Sequence, residues 1–281
     1  MKVFNTKFAL TEWVKQAKTA GKSLGFVPTM GALHQGHLAL IQQAKKENDL
    51  VVCSIFVNPI QFNNPEDLKK YPRTLEADLE QLRSIHCDVV FCPDEKEMYP
   101  DPEVKVYDFG TLDKVMEGRY RQGHFNGVAI VVKKLFDIAE PHRAYFGRKD
   151  YQQLQIIKAL VKKEKLAVEV VSCPTVREVD GLAMSSRNSR LTPSQRQEAG
   201  KIYKVLQAAR KMYPENSIAA IEKWAKEEID ASPELAVEYF NIVDAETLLP
   251  ASEDQPNTRL VACAAVFAGQ VRLIDNLLFY S

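Results

Sequence analysis

The chain has 281 residues, with 37 Lys plus Arg balanced by 37 Asp plus Glu and 46% hydrophobic residues. Those proportions exclude a disordered chain, and at roughly 150 residues per domain the length predicts two domains with cores that need no disulfide or metal. A formal charge of zero argues against non-specific nucleic-acid binding, which needs surplus Lys and Arg, but leaves room for a local basic site for a small anion.

The five cysteines, at 53, 87, 92, 173 and 263, are odd in number, form no CxxC pair and mostly sit in apolar runs, which predicts buried free thiols. The opening MKVFNTKFALTEWVKQAK mixes charges into its apolar positions, and no run approaches the ~18 apolar residues of a membrane span. A reducing cytoplasm is the expected address, with no membrane partner.

From Asn5 to Gly21, Phe8, Ala9, Trp13, Val14 and Ala17 recur at helical spacing, and Gly21 is a fitting stop. Ser23 to Val27 then reads as a strand, Pro28 to Gly36 as a loop, His37 to Glu47 as a helix, and Leu50 to Val57 as a strand buried on both faces. The alternation continues. Helix Thr74 to Ile85 leads to strand Asp88 to Cys92, helix Val128 to Ile138 to strand Arg143 to Phe146, and helix Tyr151 to Lys163 to strand Ala167 to Val171. This pattern predicts an α/β fold with a Rossmann-like parallel sheet, covered on both faces. Lysine pairs at 45, 133 and 162 are expected in or near last helical turns, where they suit the helix dipole.

After about Thr175 the alternation stops. Helices Pro193 to Met212 and Ser217 to Ala231 precede strand-like runs near Val237, Leu260 and Val271, which predicts a smaller C-terminal α+β domain. The expected domains are 1–175 and 176–281.

Chemistry concentrates in the loops after the predicted strands, because ligands of an open parallel sheet bind beyond the strands' carboxyl ends. Pro28 to His37 forms the strongest such signal. Gly31 and Gly36 permit close backbone approach, the helix start offers free N–H groups to a phosphate, and His34 and His37 can face one anion as charge builds up. The same HxxH spacing is compatible with a metal site or a solvated cap, although no third ligand stands nearby and the glycine-flanked loop suits phosphate.

A second loop, Gly147-Arg148-Lys149-Asp150, follows another strand, and Lys149 and Gln153 are four apart, as if sharing a helix face. Asp150 reads either as a cap or as an acceptor for a ribose hydroxyl. Arg177 to Asn188 holds Ser185, Ser186 and Arg187, an anion clamp for polyphosphate. Asn58 to Phe62 adds the amide of Gln61, and Glu117 to Phe125 an Arg-rich loop suited to a carboxylate.

In order, PTMGALHQGH, FVNPIQF with YPRTLEADL, EGRYRQGHFNGV, YFGRKDYQQLQII and TVREVDGLAMSSRN resemble the pantothenate synthetases, pantoate–β-alanine ligases of the HxGH nucleotidyltransferase superfamily. The resemblance covers nearly the whole chain. It implies a cytoplasmic homodimer with a Rossmann-like domain for ATP and pantoate and a C-terminal lid. The implied reaction condenses (R)-pantoate with β-alanine to pantothenate through a pantoyl adenylate, with Mg2+ on the ATP phosphates.

Position by position, the resemblance assigns His37 as the acid that assists the phosphate chemistry, with His34 beside it, and Lys149 to the phosphates. It assigns Gln61 and Gln153 to pantoate, and Gln61 also to β-alanine. Met30, Gly31, Ala32, Leu33, His34, Gln35, Gly36, His37, Gly147, Arg148, Lys149, Asp150, Val176, Met184, Ser185, Ser186 and Arg187 fall on nucleotide-binding segments, with Val176 acting through its backbone on adenine. Asp78 lies in the acidic stretch that such enzymes place near the metal, whose side-chain ligands stay open.

One departure is Gln122, where the family usually has proline; losing that fixed φ predicts a looser loop, and no role is carried onto Arg121 or His124. The rival enzymatic reading is an adenylyltransferase for a phosphorylated acceptor, against which the neutral amides of Gln61 and Gln153 argue. A nucleotide-binding module without turnover is the other rival; a nucleic-acid partner is opposed by the charge balance.

Overall fold

The computed structural model describes residues 1–251 and 259–279. Contacts divide the chain into two compact units, the first Met1–Phe109, Tyr120–Gly147 and Gln153–Cys173, the second Gly110–Arg119, Arg148–Gln152 and Pro174–Ser281. A division at a single point does not capture the two internal segments that group with the C-terminal part.

In chain order the elements of the first part are β1 (Lys2–Phe4), α1 (Lys7–Thr19), β2 (Leu24–Thr29), α2 (Gln35–Glu47), β3 (Leu50–Ile55), α3 (Pro65–Lys70), α4 (Leu75–Ser84), β4 (Val89–Phe91) and α5 (Glu95–Met98). Then follow α6 (Glu117–Tyr120), α7 (His124–Ala139), β5 (Arg143–Gly147), α8 (Tyr151–Lys163) and β6 (Glu169–Cys173). The six strands form one sheet in the order β1-β4-β3-β2-β5-β6, every neighbour parallel. This is the expected Rossmann-like layer. The edge strand β1 is an addition that three exposed or half-buried residues gave no apolar pattern to announce.

The run LVVCSI buries both faces of β3, as a central parallel strand must. On one side Val27, Ile41, Val51, Leu82 and Val90 pack together with Tyr145. On the other, Phe136 meets Phe26 and Phe146 edge to face. Helix α7 is buried on nearly every side and begins four residues before the predicted Val128, because Gly123 at φ 78 caps it ahead of His124. Lys133 accordingly lies mid-helix, paired with Asp137, while Lys45 and Lys162 occupy last turns.

The second unit has α9 (Pro193–Ala199), α10 (Lys201–Met212) and α11 (Ile218–Asp230), then an antiparallel sheet of β7 (Leu235–Asp244), β8 (Leu260–Ala268) and β9 (Val271–Leu278) in that order. The expected helix Pro193 to Met212 divides at Gly200, where a side chain would strike the Asp180 carboxylate at 2.8 Å. Ile202, Leu206, Ile221 and Ile229 pack on Phe240, Ala262 and Val266 of the sheet. Its other face buries Val261, Ala265 and Tyr239 with Met116 and Tyr151.

All five cysteines are free, four buried and Cys92 partly so. Burial pushes the Cys87 and Cys92 thiols up to about 11, and holds those of Cys53 and Cys263 well above the usual thiol range. Since the thiolate is the nucleophile, less than about 1% of such a group is reactive near pH 8. A disulfide reagent is expected to label the native protein slowly, Cys92 first, and all five thiols at once in denaturant; fast stoichiometric labelling of the native protein would contradict the packing.

Candidate active site

The chain runs outward from β2 through β3 to β4 and then returns to place β5 on the other side of β2. That reversal is a topological switch point, where open parallel sheets bind ligands. Strands β2 and β3 pair over six positions, Leu24 to Thr29, but β2 and β5 only at Gly25↔Arg143 and Phe26↔Ala144. Beyond Phe26 the two are no longer bonded. The Thr29 carbonyl accepts from Phe56 N–H and so faces β3, which leaves Pro28 facing the unpaired side, where a missing N–H costs nothing. Hence β2 extends through Pro28 and Thr29, two residues into what the sequence predicts as loop.

Immediately after β2, Gly31 and Ala32 adopt φ of 77° and 50°. Two consecutive left-handed residues turn the backbone sharply, and only the glycine does so without strain. Asp78, fully buried in α4, holds this turn: its carboxylate accepts from Ala32 N–H at 2.9 Å, Leu33 N–H at 2.8 Å and the Thr74 hydroxyl at 3.2 Å.

Helix α2 starts at Gln35 rather than His37, because His34 is its N-cap. The His34 Nδ1 accepts from Gly36 N–H at 3.1 Å, and the His37 Nδ1 accepts from His34 N–H at 3.3 Å, a capping box built from two imidazoles. Their rings lie 4.1 Å apart. A neutral ring whose Nδ1 accepts carries its proton on Nε2, so both histidines become oriented Nε2–H donors at a helix N-terminus.

Behind this loop is a buried amide network. The Gln61 Nε2 lies 3.3 Å from Met30 Sδ, and its Oε1 accepts from Asn58 Nδ2 at 2.9 Å. Asn58 also donates to the Gly127 carbonyl at 3.1 Å and accepts from the Tyr99 hydroxyl at 2.7 Å. Burial and nearby carboxylates keep that phenol un-ionised, so it stays a donor. His124 Nδ1 bonds the Gln61 carbonyl at 2.8 Å, and Asn63 bonds the carbonyl of Gln122. The loop expected to loosen at Gln122 is therefore tied at that residue's carbonyl and two residues beyond it.

Gln153, half-buried, sits in the first turn of α8, while Arg148, Lys149 and Asp150 form a 3-10 turn ahead of it. Lys149 and Gln153 thus do not share an α-helical face, as their spacing predicts, because the helix starts only at Tyr151. Asp150 stands 4.0 Å from the Lys149 ammonium. In the same unit Met184 N–H bonds the Val176 carbonyl at 3.0 Å, closing a hairpin, and Ser185 caps the following turn by accepting from Arg187 N–H at 3.2 Å.

Glu117, which opens the Arg-rich loop, is buried and accepts from Arg272 Nη1 and Nη2 at 2.8 and 2.7 Å and from the Tyr239 hydroxyl at 2.7 Å. It anchors the segment rather than facing solvent. Sequence reading missed the supporting roles of Asp78, Tyr99, His124 and Glu117. Their partners lie tens of residues away, and only the FVNPIQF motif hinted at Asn58.

Comparison with known proteins agrees with this fold. The profile of the Pantoate-beta-alanine ligase family matches residues 2–278. A pantothenate synthetase of Porphyromonas gingivalis is 48% identical over 277 residues, covering 99% of both chains, and one of Bacteroides fragilis is 46% identical, covering 99% of this chain and 98% of that one. The crystal structure of pantothenate synthetase from Thermus thermophilus superposes with a TM-score of 0.93 at 43% identity over 100% of both chains. That of the Francisella tularensis pantoate-beta-alanine ligase, complexed with beta-gamma ATP and beta-alanine, gives 0.85 at 36% identity, over 100% of this chain and 98% of that one. Likeness that runs end to end, through both units and at these identities, makes the chain a member of the pantoate-beta-alanine ligase family.

Proposed function

We propose that the enzyme condenses (R)-pantoate with β-alanine in two half-reactions. A pantoate carboxylate oxygen attacks the α-phosphorus of ATP; the bond to the β-phosphate breaks, giving pantoyl adenylate and diphosphate. The neutral amine of β-alanine then attacks the acyl carbon, the acyl–oxygen bond breaks, AMP leaves, and the amine sheds a proton. The His34–His37 capping box carries this reading. It fixes two Nε2–H donors at the switch point, where negative charge on phosphate oxygens increases during adenylation. Free thiols pushed upward by burial offer no ready nucleophile, in keeping with direct transfer between substrates.

In this reading His37 is the acid that assists the phosphate chemistry, and His34 and Lys149 meet phosphate oxygens. Gln61 and Gln153 hold pantoate's hydroxyl and carboxylate, an amide suiting the task because it both donates and accepts. Gln61 also serves β-alanine. Nucleotide contacts fall to Met30 through His37, Gly147 through Asp150, Val176, and Met184 through Arg187. Mg2+ enters with ATP as part of the substrate: both Asp78 oxygens are engaged by backbone N–H groups. No group of three His, Cys, Asp or Glu among the described residues could hold a metal. The reading extends to a cytoplasmic homodimer, the compartment supported by five free thiols. Among the described residues no helix is long and apolar enough to cross a membrane.

Incubation with ATP, Mg2+ and pantoate, with and without β-alanine, followed by mass spectrometry, tests the function. Pantoyl adenylate is expected without the amine, and pantothenate with AMP when it is added; ADP as product would refute the mechanism, since it requires attack at the γ-phosphate. Replacing His37 by Ala should slow adenylate formation by about 10²–10³-fold, the usual effect of losing one oriented donor. Its loss as a cap should lower stability by only about 1 kcal/mol. Asp78→Asn should destabilise the protein by about 2 kcal/mol through its backbone bonds. The Mg2+ concentration for half-maximal rate should not change; a large shift would reassign Asp78 to the metal.

A further inference from the structure

Strand β9 carries two adjacent polar residues, Asp275 and Asn276, at 5% and 6% exposure. Buried polar groups are tolerated only when paired, and neighbours on a strand point to opposite faces, so each engages a different segment. The Asp275 carboxylate takes the Arg177 guanidinium in a two-pronged contact of 2.6 and 2.9 Å. Arg177 also donates to the Gly181 carbonyl at 3.0 Å and the Asn276 carbonyl at 3.3 Å, and lies 3.5 Å over the Tyr203 ring. It thereby pins the hairpin that joins Val176 to Met184.

The Asn276 side chain turns to the other segment. Its Nδ2 donates to the carbonyls of Arg148 and Lys149, both at 2.8 Å. Two N–H bonds on one atom meet two successive carbonyls, which no carboxylate, single hydroxyl or apolar side chain of this size can do. The 3-10 turn holding Lys149 is fixed at its backbone by a residue more than a hundred positions away.

We propose that Asp275 and Asn276 are positioning residues for adenylation, fastening the Lys149 turn and the Val176–Arg187 loop into one set. The inference rests on the reading of Lys149 as a phosphate-contacting residue. A lysine reaches its target through a flexible stem, so its placement depends on the backbone at its base, and a displacement of about 1 Å can cost up to 10²-fold in rate.

A double-mutant cycle tests this, reading diphosphate release from ATP and pantoate without β-alanine. Asn276→Ala is expected to lower the rate constant about tenfold with the pantoate KM unchanged, and to have less than a twofold further effect in the Lys149→Ala background. An equal loss in both backgrounds, or none in the first, overturns the proposal. Circular dichroism at the assay temperature verifies folding; if the alanine variant is unfolded, Asn276→Ser, which keeps one donor, takes its place in the cycle. Should Lys149→Ala leave adenylate formation intact, the phosphate assignment fails and the proposal with it. That result is distinct from a damaging Lys149→Ala beside a silent Asn276→Ala, which removes the positioning role alone.

Discussion

The early end of the ladder between β2 and β5 governs the first unit. Parallel strands hold each other by evenly spaced bonds, and here that spacing is kept for only two residue pairs before the strands part. The course of the chain beyond the carboxyl end of β2 follows from the gap. Pro28 becomes admissible inside a strand, the chain turns at once through Gly31 and Ala32, and α2 starts beyond the turn with His34 as its cap. Such a turn is costly for an alanine, so it needs a fixed partner. Asp78 provides one, with charge-assisted bonds to backbone N–H groups individually worth roughly 1.5–3 kcal/mol.

A common device recurs in both units: a buried side chain that bonds the backbone of a distant loop. Asp78 does so for residues 32 and 33, His124 for residue 61, and Asn276 for residues 148 and 149. Each leaves the side chains of the loop unconstrained by its own bond. Packing alone would fix such loops poorly, since they are short and glycine-rich. Directional bonds to main-chain groups set the position of a loop to within the reach of a hydrogen bond.

Much of this was legible in the residues. The alternation of apolar runs and helical periods announced the parallel sheet, because a strand buried on both faces has few other compositions, and the cluster of Gly and His after the first crossover strand announced a tight turn and a helix start beyond it. What the sequence could not show is pairing across long separations. Asp78 reads as an acid of a stretch near the metal until its backbone partners 45 and 46 residues earlier are known. The spacing of Lys149 and Gln153 suggested a shared face because a 3-10 turn and an α-helix look alike in four residues. Gln122 suggested looseness because φ is a local property, whereas the loop is held from outside by Asn63 and by the Gln61 carbonyl. Short elements with little burial, such as β1, leave no periodic trace.

The two-imidazole cap also decides which ions this loop can attract. Transition-metal ions bind histidine through a nitrogen lone pair, and a neutral imidazole has one. In His34 and His37 that lone pair, on Nδ1, is already held by a backbone N–H, and freeing it would undo the first turn of α2. A pair spaced like a zinc site therefore presents protons where zinc would require electrons. A metal ion would have to displace those backbone bonds before it could take either nitrogen.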